Sequence, residues 1–176
     1  LVCTGCTTPP PAHSVEPHHP ALRATLVDLY AAFSFDAGDE PDWATQRRIY
    51  LEGATFVAPI DPGREPTGVD TEAFLADFRS FALEGEYART GLHERIIALD
   101  LGVCGGIAHA FVLFEGHLPG EVEARTRGMD SLQLVQAGAH WRLVSFATQY
   151  ASDAAPLELE RGSFEAPHPQ LPNDDV

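Results

Sequence analysis

GMDSLQLVQAGAHWRLVSFATQY, residues Gly128 to Tyr150, is the stretch that decides the fold. Leu132, Leu134 and Val135 are apolar, and Ser131, Gln133 and Gln136 are polar. Beyond Ala137-Gly138-Ala139, the apolar residues Trp141, Leu143, Val144 and Phe146 are interleaved with Arg142, Ser145 and Thr148. Rough alternation of this kind predicts two strands, each with one buried face. Gly138 supplies the positive φ that the turn of a hairpin needs. Pairing Gln136 with Ala139 sets Leu134 opposite Trp141, Leu132 opposite Leu143, and Asp130 opposite Ser145. That register gathers the apolar pairs on one face. A slip of one residue would turn Ser131 and Gln133 inward instead.

The pattern extends towards the N-terminus. Strands are expected over residues 87–101, with a bulge at Gly91, over 107–115 and over 121–136, with Gly102 to Gly106 as a turn. Ahead of them the period changes. Leu22, Leu26, Leu29, Tyr30 and Phe33 recur at helical spacing behind Pro20, which predicts a helix over 21–35. Asp36 to Pro41 breaks it. A second helix is expected from Asp42 to Leu51, with Trp43, Gln46, Arg47 and Tyr50 on one side. A short strand follows at 54–58, then a proline-bearing loop or weak hairpin over 59–68. Asp70 or Thr71 caps a third helix in which Phe74, Phe78 and Phe81 form a stripe expected to pack on the sheet.

Composition narrows the function. The formal net charge of −15 argues against nucleic acid or an anionic membrane as a partner, since both repel an acidic surface. All 11 basic residues other than histidine are arginine. With no lysine, Schiff-base chemistry and the internal aldimine of pyridoxal phosphate enzymes are excluded. Cys3 and Cys6 form a lone CxxC without a second ligand pair, and Cys104 sits beside a glycine turn, so no metal site is expected. No apolar run reaches the roughly 20 residues needed to cross a bilayer as a helix.

Residues 1–20 are proline-rich and aperiodic, as are the acidic residues 151–176, and both are expected to be tails around a domain over 21–150. Thr4-Gly5-Cys6 resembles the end of a bacterial lipoprotein signal. The first tail is therefore either an unstructured end or, if Cys6 is lipidated, the tether of a cell-envelope protein; without the lipid a cytoplasmic location is expected.

Two helices, a short strand pair, a third helix and four long antiparallel strands form an α+β order: a cone-shaped curved sheet wrapped around helices. With Arg127 to Val135, Gly138 and Trp141 to Ser145 as its closing hairpin, the chain resembles the nuclear-transport-factor-2-like superfamily of cystatin-like α+β rolls, and in particular its SnoaL-like bacterial branch. That superfamily includes ketosteroid isomerases, scytalone dehydratase, limonene epoxide hydrolase and polyketide cyclases. The resemblance implies an apolar cavity under the concave face, a homodimer through the convex face, and no cofactor or metal. A carboxyl group in such a cavity has its pKa raised and serves as an acid or base near neutrality.

Asp130, flanked by apolar residues and placed like the polar side chain of the penultimate strand in that family, is the first catalytic candidate. His109, alternating with Ile107, Phe111 and Leu113, and Tyr50 are the assisting candidates. Trp43, His93, Arg95, Phe111, Leu132, Trp141 and Ser145 are expected to contact the substrate, Arg95 as a carboxylate binder. Glu94 falls on the opposite side of its strand from His93 and Arg95. Thr148 and Gln149 are expected near the mouth or a dimer face. Neither the epoxide hydrolase nor the dehydratase residue set is present. Two kinds of function stay open: a cofactor-independent isomerase, lyase or hydrolase acting on a small apolar molecule, and a non-catalytic ligand-sensing or dimerising module.

Overall fold

The computed structural model describes residues 19–57, 65–152 and 157. Cys3, Cys6 and the lipidation reading, His13 and His18, the last residue of the expected strand at 58, residues 59–64 of the proline-bearing segment, and nearly all of the acidic end lie outside the described residues. The elements run α1 (Pro20–Phe33), β1 (Phe35–Asp36), α2 (Trp43–Ile49), β2 (Tyr50–Val57), β3 (Gly68–Asp70), α3 (Thr71–Glu84), α4 (Tyr87–Thr90), β4 (Gly91–Cys104), β5 (Ile107–His117), β6 (Ala124–Ala137) and β7 (His140–Tyr150). Seven strands form one sheet in the order β1-β4-β5-β6-β7-β2-β3. Every pairing is antiparallel except that of β2 with β7. The architecture is the expected α+β one: a curved, unclosed sheet with helices against its concave side.

The helices form for the reasons their sequences give. Pro20 needs no backbone donor at the first turn of α1. Asp42 caps α2 by accepting from the Thr45 N–H at 2.9 Å, and Asp70 caps α3 by accepting from the Ala73 N–H at 2.9 Å. The α1 stripe of Leu22, Leu26, Leu29, Tyr30 and Phe33 is buried along its length. It lies across the inner face of the sheet, nearest β4 and β7, and the core it joins includes Ala108, Ala110, Val112, Leu132, Leu134 and Leu143 of β5 to β7. Each fully buried leucine here contributes roughly 1.5–3 kcal/mol. Gln46 is buried too, and its side-chain amide donates to the Ala32 carbonyl at 2.9 Å, fixing α2 to the end of α1. No helix among the described residues is long and apolar enough to cross a membrane.

Several element ends, and one register, differ from the sequence-based expectation. The second helix stops at Ile49, and Tyr50 opens β2 instead of sitting on a helix face. The first long strand begins at Gly91, because residues 87–90 form the single turn α4. Gly91 holds a φ of 76°, and a Cβ there would lie 2.7 Å from the Phe35 carbonyl oxygen, so only glycine lets β4 start against β1. The register that differs is that of the hairpin. Ala137 pairs with His140, Gln136 with Trp141 and Leu134 with Leu143, around a turn at Gly138, whose φ is 65°. A bulge at Val144 then shifts the ladder, so that Gln133 faces Ser145, Leu132 faces Phe146 and Asp130 faces Thr148. The expected pairing of Asp130 with Ser145 is thus replaced. Alternation alone cannot count the extra residue of a bulge.

Candidate functional site

Strand β6 alternates, placing Gly128, Asp130, Leu132 and Leu134 on the concave face. Asp130 is only 2% exposed. Its two carboxylate oxygens have separate donors: the Tyr30 hydroxyl donates to Oδ2 at 2.5 Å and the Thr148 hydroxyl donates to Oδ1 at 2.7 Å. Tyr30 arrives from the last turns of α1, and Thr148 lies directly across the ladder because of the Val144 bulge. Burial pushes the Asp130 carboxyl up to about 7, with the two hydroxyl donors pulling the other way.

A second carboxyl group faces the same space. Glu94 lies on β4 opposite Gly116, and its backbone N–H donates to the Ser34 hydroxyl at 2.9 Å. Ser34 donates in turn to the Tyr30 carbonyl at 3.0 Å, so the end of α1 fixes the strand at this point. Unlike Asp130, the Glu94 carboxyl has no hydrogen-bond partner among the described residues. Burial, and secondarily the charge of Asp130, pushes it up to about 8. The signal for Glu94 was present in the sequence. Leu92, Glu94 and Ile96 alternate just as Gly128, Asp130 and Leu132 do, and the side away from His93 and Arg95 is the concave one.

Between these carboxyl groups and α3 lies a cavity of about 250 Å³, open to solvent on one side. Phe33, Phe114 and Phe146 form its depth, and Phe74 and Phe78 of α3 form a wall. The Phe33 ring stands edge-on to Phe78, with centroids 5.1 Å apart. Asp77, Phe81 and Tyr150, all exposed, stand at the mouth. A space of roughly 150 Å³ is enough for benzene, so this one takes a larger molecule. The phenylalanine stripe of α3 therefore lines a hollow as well as packing the core.

The structure brings Asp130 to this cavity and leaves the other sequence-derived candidates elsewhere. His109 and Phe111 project from the opposite, outer face of β5. There His109 Nε2 is 3.0 Å from the Ser131 hydroxyl and its ring meets Phe111 at 4.5 Å, so neither reaches an atom bound beside Asp130. Ser145 is turned away by the bulge. Tyr50 is buried deeper, its ring against Phe56 and Phe74 and its hydroxyl 3.3 Å from Gln46 Oε1. Trp43 flanks Phe78 from outside and donates to Glu40 at 2.7 Å. His93 lies 3.0 Å from Asp36, and Arg95 is exposed. Leu132 and Trp141 are core residues packed among the helices. Thr148, expected near the mouth, is instead a buried partner of Asp130. Among the described residues, no three histidine, cysteine or carboxylate side chains converge as metal ligands.

No family model matches the sequence, and no curated protein matches it either. Solved structures do. An NTF2-like protein of unknown function from Silicibacter pomeroyi DSS-3 is 24% identical, with a TM-score of 0.51 over 76% of this chain and 96% of that one. A protein with a cystatin-like fold from Caulobacter vibrioides gives 0.57 at 13% identity, over 77% of this chain and 91% of that one. This is a nuclear-transport-factor-2-like fold. A further neighbour, from Catenulispora acidiphila, was solved in complex with S-DNPA; it is 13% identical, with a TM-score of 0.56 over 74% of this chain and 91% of that one. Identities this low carry the NTF2-like fold across and nothing of the chemistry.

Proposed function

We propose that this NTF2-like domain binds a small, largely apolar molecule in the aromatic cavity, and that Glu94 and Asp130 exchange a proton with it. The observation that carries the reading is the pair itself. Two carboxyl groups from different strands face one apolar hollow, with pKa values pushed up to about 8 and about 7. Acids tuned to the working pH are what general acid–base chemistry requires. Their surroundings separate their roles. Asp130, stabilised by two donors, ionises first and holds the charge. Glu94, with no partner, keeps its proton and offers it to the ligand. Tyr30 and Thr148 act through Asp130 as positioning residues. No step in this scheme calls for a metal or organic cofactor.

Exchange of the α-protons of 2-tetralone for deuterium, followed by NMR, tests the reading without the natural substrate in hand. Wild type is expected to speed exchange over buffer, and Glu94→Gln to reduce that acceleration by at least about 100-fold while the ketone still binds. Binding without accelerated exchange would reduce the domain to the non-catalytic, ligand-sensing alternative.

One observation favours a role for the outer sheet face as well. Ile97 and Ile107 are 47% and 65% exposed there, beside Phe111 and Leu113. We propose that a second copy of the chain covers this face, leaving both cavities open.

A further inference from the structure

We infer that the molecule taken by this cavity is an organic cation, an amine or quaternary ammonium group on an apolar body, with its charge held between Glu94 and Asp130. The inference rests on the reading of the cavity as a ligand site and names the class of ligand.

Charge and ring chemistry point the same way. The carboxyl groups of the lining are opposite in sign to a cation when ionised, and no group of like sign joins them among the described residues. The charged residues of the lining are Glu94, Asp130 and Asp77, and no arginine or histidine is among the described residues that form it. The nearby bases are directed elsewhere. Arg79 of α3 is 3.5 Å from Glu40 and stands over the Trp43 ring, Arg95 is exposed, and His93 is drawn to Asp36. An anionic ligand would meet three carboxyl groups without a counter-charge. A neutral one could accept from the protonated, half-buried Glu94 carboxyl but would supply no counter-charge once the carboxyl groups ionise. A cation supplies what Glu94 lacks. The remaining surface suits the same guest, since aromatic faces attract ammonium groups most strongly where water is excluded. At the mouth, exposed Asp77 and the net charge of −15 favour the approach of a cation.

The titratable groups near enough to interact with the charge of Glu94 are Asp130 on β6, Tyr30 on α1, the more deeply buried Tyr50 on β2 and Tyr150 at the end of β7, with Asp77 of α3 at the mouth. All are acids or phenols, and the phenols are pushed to higher pKa by burial and by these carboxylates, so they stay neutral. None supplies positive charge. Binding a permanent cation therefore shifts Glu94 towards its ionised form and releases a proton to solvent. Affinity rises with pH until Glu94 is ionised in the free protein as well.

The test is calorimetric titration of the full chain with benzyltrimethylammonium, 2-phenylethanol and phenylacetate at about pH 6 and about pH 8.5, in buffers of different ionisation heat. The cation is expected to bind at least about tenfold more tightly than the alcohol, to gain several-fold at the higher pH, and to release protons on binding; phenylacetate is expected not to bind. Glu94→Gln is expected to keep alcohol binding and lose the preference for the cation. Asp77→Asn, at an exposed helix position, is expected to weaken the cation by about two- to threefold. Equal or tighter binding of 2-phenylethanol, insensitive to pH, would overturn the cationic ligand and leave the cavity reading intact. Failure of all three probes to bind would remove both.

Discussion

Asp130 and Glu94 are the same kind of group in the same hollow, and hydrogen bonding separates them. A carboxylate accepting two hydroxyl donors is stabilised as the anion, whereas one with no donor is not. Removing the Tyr30 hydroxyl from Asp130 with Tyr30→Phe is expected to cost about 1.5–3 kcal/mol above the Asp130 pKa and less below it, read from urea denaturation at two pH values. Both carboxyl pKa values are raised on folding, Glu94 from 4.5 to about 8 and Asp130 from 3.8 to about 7. The folded chain therefore holds more protons than the unfolded chain between those limits, and stability falls as pH rises through them. Thermal melts of wild type are expected to decline steadily from about pH 5 to about pH 8.5, with a loss on the order of a few kcal/mol. Glu94→Gln is expected to flatten that slope and to melt higher than wild type at the alkaline end. A melt profile that rises with pH would contradict the raised pKa values. Of the two, Asp130 was legible in the sequence as an acid amid apolar neighbours on the hairpin. Glu94 shares the pattern, but a strand shows two equivalent sides until something is packed on one of them.

The elements themselves were largely legible, because each carries a clean period. The α1 stripe, the caps at Asp42 and Asp70, and the four long strands follow from spacing and cap chemistry. Their ends and registers did not, since a bulge or a one-turn helix depends on what the segment meets. The β5–β6 ladder gives an example that mutation can probe. Phe114 pairs with Gly128, and its ring lies across the place a Cβ would occupy. The same ring meets Tyr30 at 5.8 Å and forms part of the cavity. Gly128→Ala is expected to displace Phe114, destabilise the fold by about 1–3 kcal/mol in urea titration, and weaken any cavity ligand. The Val144 bulge matters for the same reason. It turns Phe146 and Thr148 inward, and without it Asp130 would lose one of its two donors.

At the level of the molecule, the sheet stays open and its two faces differ. The inner face is covered by α1 to α3, and the outer face leaves Ile97 and Ile107 exposed. If two copies pair there, light scattering of the full chain gives twice 19.1 kDa, and Phe111→Glu returns it to the single-chain mass. A single-chain mass for wild type at high concentration would end the dimer proposal. His109, bonded to Ser131 on that face, would then be a surface residue in every state of the protein.

Periodicity, caps and composition were enough to establish the three longer helices, the four long strands that follow them, the curved α+β sheet, the absence of lysine chemistry and the presence of one acid on a buried strand. These are local properties, written in the spacing of neighbouring residues. The meeting of Glu94 with Asp130, the donors Tyr30 and Thr148, the aromatic hollow and the outward turn of His109 required the folded chain. Each depends on segments far apart in sequence, on a bulge that changes which residues face inward, and on the side of the sheet that the helices cover.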